Sequence, residues 1–153
     1  YVSSTSVLHD DRMLGFSRAL ARRGFALPQS HIFIEQENGP SDSLVHSLRE
    51  HIGTLPAGVF CFHDLWAMRV LRATHFLSLK VPEDIAIVGF DNLPICTETF
   101  PPLSSIAYPY RKLAEAGFTK AIALYEGDAY ATESAAGIAL TEGGVYRLVY
   151  EKF

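Results

Sequence analysis

Short apolar runs alternating with longer amphipathic stretches predict an α/β protein built on a doubly wound parallel sheet. Three observations carry this. Ile85 to Phe90 is an unbroken apolar run that ends at Asp91, the pattern of a strand buried on both faces of a parallel sheet. Gly58-Val-Phe-Cys-Phe62 is a second such run. The segments between runs are long enough for helical crossovers, which parallel neighbours require.

The elements follow in order. Tyr1 to Ser4 reads as the end of a strand. Asp10 or Asp11 then caps a helix to about Arg23, with Met13, Leu14, Phe16 and Leu20 as its apolar stripe and Gly24 as its stop. His31 to Glu35 is a short strand, and the loop from Asn38 to Asp42 leads to a cap at Ser41. Leu44, Val45, Leu48 and Ile52 give the next helix its stripe. Asp64 is expected to cap a helix running to about Leu77. That helix carries two apolar stripes, one of Leu65, Met68 and Leu71, the other of Trp66, Val70, Ala73 and Leu77. A surface helix needs only one, so the second points to a partner or to cover by the chain's own C-terminal segment. Beyond Asp91 the pattern changes. Asn92 to Ser104 is a Pro-containing linker, and Ser105 to Tyr108 a brief extended segment. Pro109 opens a helix to Gly127 through Leu113, Ala116, Phe118, Ala121 and Leu124. Asp128 to Gly137 reads as a loop, and Ile138–Leu140 and Tyr146–Tyr150 as closing strands.

Composition excludes some functions. Thirteen Lys and Arg against seventeen Asp and Glu, with no basic run, leave no surface to neutralise a row of phosphates. This chain is not expected to hold DNA by itself. No apolar run approaches the roughly eighteen residues of a membrane span, and no signal peptide is evident. Cys61 and Cys96 lack metal spacing and read as two reduced cytosolic thiols. His46 and His51 are five apart, off the spacing one helix face offers a metal. There is no G-x-S-x-G, H-E-x-x-H, C-x-x-C or P-loop, so neither an enzyme, a cofactor nor a metal is expected.

Polar clusters mark a different chemistry. Ser3-Ser4-Thr5 with His9 to Arg12, Glu35 to Asn38, His63-Asp64, and Asp91-Asn92 all fall at predicted strand C-termini. Parallel strands bring such ends to one edge, where ligands bind. Arg12 in a helix's first turns opposes the dipole, so by its position alone it reads either as a residue with a role beyond stability or as a solvated arginine.

Three segments add a family resemblance: Phe62-His63-Asp64-Leu65-Trp66-Ala67-Met68, then Val81-Pro-Glu-Asp-Ile-Ala-Ile-Val-Gly-Phe-Asp91, then Pro101-Pro102-Leu103-Ser104-Ser105-Ile106. In this order and spacing they resemble the A-N-D-x-M-A, V-P-x-D-V-x-V-V-G-[FY]-D and P-P-L-T-T-[IV] patterns of the lactose/galactose repressor family of bacterial transcription regulators. Asp11-Arg12-Met-Leu-Gly-Phe16 resembles that family's R-x-x-G-F helix. The resemblance implies one lobe of a type I periplasmic-binding-protein-like fold plus a crossover segment of the other lobe. Residues 1–91 would form the C-terminal lobe, 92–135 would pack on an N-terminal lobe not in this chain, and 136–153 would return. It further implies a cytoplasmic homodimer that meets DNA only through a headpiece absent from this chain, so the chain reads as a fragment. The implied effector is a small sugar-like or nucleobase-like molecule held between lobes by Arg12, Asn38, His63, Asp64, Asp91, Tyr108 and Leu113. Carboxylates and a guanidinium suit a hydroxyl-rich ligand. The implied dimer interface is Trp66, Met68, Val70 and Ala73 with Ile95, Thr99 and Phe100. Some positions depart from the family. Asn38 stands where an aromatic is common, His63 replaces Asn, Arg69 replaces a small residue, and Tyr150 stands where Arg is frequent. A periplasmic-type sugar-binding transport protein, which shares the fold, is the alternative, and an unrecognised small α/β enzyme the third.

Overall fold

The computed structural model describes residues 1–4, 11–35, 41–53, 55–127, 138–140 and 146–148, in two units, Tyr1–Tyr108 and Pro109–Phe153. The first unit contains β1 (Val2–Ser4), α1 (Asp11–Ala21), β2 (Phe33–Glu35), α2 (Ser41–His51), β3 (Ala57–Phe60), α3 (Asp64–Phe76), β4 (Ile85–Asp91) and β5 (Ser104–Ala107). Every strand pairing in it is parallel. Val2 lies opposite Phe33, Val59 opposite Ile87, and Phe90 opposite Ile106. A single parallel bridge, Val2 to Cys61, joins β1 to the end of β3. The strand order is therefore β2-β1-β3-β4-β5, an order known for doubly wound sheets.

The core lies between this sheet and α2 with α3. Leu44 and Leu48 from α2 meet Trp66, Ala67, Val70 and Ala73 from α3, and Val2, Val59, Ile85 and Ile87 from the sheet. α1 contributes differently, since none of its side chains is fully buried. Its Phe16 ring stacks on Phe60 at 5.1 Å and on Tyr1 at 6.4 Å. Gly24, at φ +80°, turns the chain away after α1.

Three expectations are corrected. Only one face of β4 is buried, by Ile85, Ile87 and Gly89, while Ala86 is exposed. An apolar run does not say how much of its second face is covered. The cap of α3 is His63, whose extended backbone lets Nδ1 accept from Trp66 N at 3.3 Å. Asp64 is already helical and turns its carboxylate elsewhere. Lastly, Trp66, Val70 and Ala73, assigned to a dimer interface, are 2%, 0% and 2% exposed within this chain. They are the stripe that faces the sheet. The outward side of α3 carries Leu65, Arg72 and Phe76, with Met68 partly buried.

The connection after β4 is ordered. Cys96 N donates to Leu93 O and Leu103 N to Cys96 O, both at 3.0 Å. The Thr99 hydroxyl lies 3.0 Å from the Cys96 and Pro101 carbonyls. β5 then pairs with β4, so the first unit continues past the 91/92 position to Tyr108. Both thiols are buried. Desolvation pushes the Cys61 thiol up to about 12 and the Cys96 thiol up to about 11, with nearby Asp64 adding to each. Neither forms a disulfide.

The second unit contains α4 (Tyr110–Tyr125) and an antiparallel pair, β6 (Ile138–Leu140) with β7 (Tyr146–Leu148). Pro109 precedes α4, and its carbonyl accepts from Leu113 N at 3.1 Å. No side chain of α4 is fully buried, and Phe118 and Tyr125 are 70% and 90% exposed. The expected 128–137 loop lies outside the described residues, as do Asn38 and Tyr150. Among the described residues, no helix is long and apolar enough to cross a membrane.

Candidate functional site

The parallel order brings the ends of β3, β4 and β5 to one sheet edge, with the start of α3 beside them. Asp64, at the first position of α3, is fully buried there. One carboxylate oxygen accepts from Leu93 N at 2.7 Å and the other from the Ser105 hydroxyl. The charge of this carboxylate also helps to push the Cys96 thiol up. Ser105 Oγ in turn accepts from Asn92 N at 2.9 Å. Asp64 thus ties α3 to β5 and to the turn after β4. Its oxygens are engaged inside the fold, which makes it a positioning residue beneath the edge.

Gly89 explains how α3 comes so close. A Cβ at this position would overlap Asp64 Oδ1 and lie 3.3 Å from both the Ala67 Cβ and the Asp64 Cα. The helix start rests directly on the β4 backbone, and only the absence of a side chain allows it.

Arg12 reaches the edge from the first turn of α1. Its guanidinium carbon lies 4.3 Å from the ring centroids of both Phe62 and Phe90. Such contacts favour a cation through the ring quadrupole. Arg12 Nη1 donates to the Phe62 carbonyl at 2.6 Å, and Nη2 lies 3.6 Å from Asp91 Oδ1. The two side chains are 26% and 15% exposed, so the pair is sheltered yet reachable. Asp91 and Asn92 have φ of +101° and +54°. Non-glycine residues held in this region cluster at ligand sites. The Tyr108 ring packs 5.8 Å from Phe90, and the His63 ring 5.4 Å from Phe62.

Arg12, Asp91, His63 and Tyr108 are therefore gathered around the Phe62 and Phe90 rings. Asp64 lies beneath them. Leu113 belongs to the second unit and is described with it. Sequence reasoning missed Phe62 and Phe90 as the walls that hold Arg12, although both sit beside the residues singled out. It also missed Ser105, the partner of Asp64. Of the expected interface residues, Ile95 and Phe100 are 38% and 96% exposed, while the Thr99 hydroxyl is engaged in its own loop. Among the described residues, no group of three or more His, Cys, Asp or Glu side chains is placed to hold a metal ion.

A parallel α/β lobe with a guanidinium, a carboxylate and aromatic rings at the C-terminal edge of its sheet has the features of a small-molecule-binding module. Residues 1–143 match the family described as periplasmic binding protein-like domain. The HTH-type transcriptional repressor PurR of Photobacterium profundum is 29% identical over 107 residues, 69% of this chain and 31% of that protein. The regulator DegA of Bacillus subtilis is 29% identical over 108 residues, 67% of this chain and 30% of that protein. Among solved structures, a LacI family transcriptional regulator from Arthrobacter sp. FB24 in complex with lactose matches with a TM-score of 0.66 and 27% identity. That match covers 82% of this chain and 47% of the other. The chain belongs to the periplasmic-binding-protein-like family, in the LacI/GalR group of transcription regulators, as part of their effector-binding domain. It spans about a third of the length of the curated relatives and about half of the solved one.

Proposed function

We propose that this chain is the effector-sensing and dimerising part of a DNA-binding repressor, and that a small sugar-like or nucleobase-like molecule binds between its first unit and a second lobe. The observation that carries this is the Arg12–Asp91 pair at the sheet edge, held between Phe62 and Phe90. A fixed guanidinium offers forked donors and the carboxylate offers acceptors, the complement of a ring bearing hydroxyls. Asn38 and Leu113 remain part of this proposal as further contacts, with His63 and Tyr108 at the rim. The regulators among the relatives favour gene control over transport as the role.

Arg12→Ala and Asp91→Ala are each expected to weaken effector binding by about 1.5–3 kcal/mol, as for hydrogen bonds to charged groups. Calorimetry on the whole protein checks this, with lactose and a purine base as the first titrants. Affinity unchanged in both variants would remove these two residues from the site.

The proposed dimer face is the outward side of α3 with the turn after β4: Leu65, Met68, Ile95 and Phe100. In a two-fold contact one introduced charge appears twice and loses its water. Phe100→Asp, at a side chain 96% exposed, is therefore expected to give a folded monomer by sedimentation. Phe118→Asp on α4 is the comparison. A dimer that survives the first change and dissociates with the second associates through α4 instead.

A further inference from the structure

The chain leaves β4 through two residues in a conformation that side chains disfavour. Asp91 and Asn92 have φ angles of +101° and +54°. Crowding at Cβ makes this region costly for residues other than glycine, and it persists only where surrounding bonds hold it. Two backbone amides supply those bonds. Asn92 N donates to the Ser105 hydroxyl at 2.9 Å, and Leu93 N donates to Asp64 Oδ2 at 2.7 Å.

The bond to Ser105 makes a particular demand on that residue. The single hydroxyl proton of Ser105 goes to Asp64 Oδ1, which leaves its lone pairs for the Asn92 amide. Asp64 is fully buried, so it fixes the hydroxyl from within the fold. A side chain at this position must donate and accept at once. Ser and Thr do so, and Ala does neither. Asp91 stands one residue before the held amide, and its Oδ1 lies 3.6 Å from Arg12 Nη2. The Asp91–Asn92 peptide is therefore anchored at its nitrogen by Ser105, which sets where the Asp91 carboxylate stands.

We propose that Ser105 is a positioning residue of the effector edge. It acts through the Asn92 amide to keep Asp91 in the left-handed conformation that turns its carboxylate toward Arg12. The consequence for binding rests on the proposed role of the Arg12–Asp91 pair as effector ligands, whereas the positioning itself does not. The Asn92–Ser105 bond is at an exposed position, so water can meet the freed amide in Ser105→Ala. The Leu93 bond to Asp64 remains in that variant, which is therefore expected to fold.

Nuclear magnetic resonance of the whole protein, isotope-labelled at arginine, gives a readout that needs no ligand. Arg12→Lys assigns the Arg12 side-chain N–H signal. That signal is expected to shift in Ser105→Ala and to keep its native position in Ser105→Thr, which retains the hydroxyl. A loss of stability alone would leave the signal of the folded state in place. An Arg12 signal unmoved in Ser105→Ala overturns the proposal, and so does an equal shift in Ser105→Thr. Lactose or a purine base, whichever binds the native protein, is expected to bind about tenfold more weakly to Ser105→Ala, the equivalent of one lost hydrogen bond. Near-native affinity is expected for Ser105→Thr. A shifted Arg12 signal with unchanged affinity would uphold the positioning by Ser105 and remove the Arg12–Asp91 pair from the effector site.

Discussion

Asp64→Ala is expected to lower the unfolding free energy of this chain by about 4 kcal/mol. Hydrogen bonds to charged groups contribute about 1.5–3 kcal/mol each, and removal of their acceptor leaves buried donors unpaired. Here the donors are Leu93 N and the Ser105 hydroxyl, with the Cys96 thiol beside them. They come from the turn after β4 and from β5, so the loss also releases α3 from two other elements. Urea titration followed by the fluorescence of Trp66 measures the change. A loss under about 1 kcal/mol would mean that solvent enters and replaces the carboxylate, contrary to a residue with no exposed surface.

Gly89→Ala is expected to destabilise by about 3 kcal/mol, at the upper end of typical overpacking. The new methyl would collide with Asp64 Oδ1, and it would also crowd two atoms belonging to the helix, the Asp64 Cα and the Ala67 Cβ. Because part of this clash is with the Asp64 side chain, the two substitutions should not add. In the Asp64→Ala background, Gly89→Ala should cost about 1 kcal/mol less than in the native chain, a coupling within the range for residues in contact. Full additivity in this double-mutant cycle would assign the whole clash to the helix backbone and Ala67.

These two residues also mark how far the sequence could be read. The parallel order was legible because each strand is a compact apolar run and each crossover is long. The edge was legible because polar residues follow those runs. The division of labour between His63 and Asp64 was not. Both can cap a helix, and the partners that claim Asp64 lie 29 and 41 residues away. No local pattern records such bonds. The orientation of α3 was equally hidden, since both of its stripes are apolar. The small residue Ala67, set against Gly89 in the strand, was the available sign of the close side. Phe62 and Phe90 were passed over because phenylalanine in a buried run reads as core, whereas here two such rings hold a cation.

The two raised thiols make the fold measurable from within. Alkylating reagents react with thiolate, and burial suppresses that form at both Cys61 and Cys96. Modification at neutral pH therefore waits on an opening event, and its rate counts those events. Cys96 lies on the short turn that hydrogen-bonds Asp64, so its labelling records the loosening of that knot. Cys61 lies at the single bridge between β1 and β3, so its labelling records separation of the sheet itself. Compared with and without effector, the two labelling rates would tell whether the ligand steadies the loop, the sheet or both.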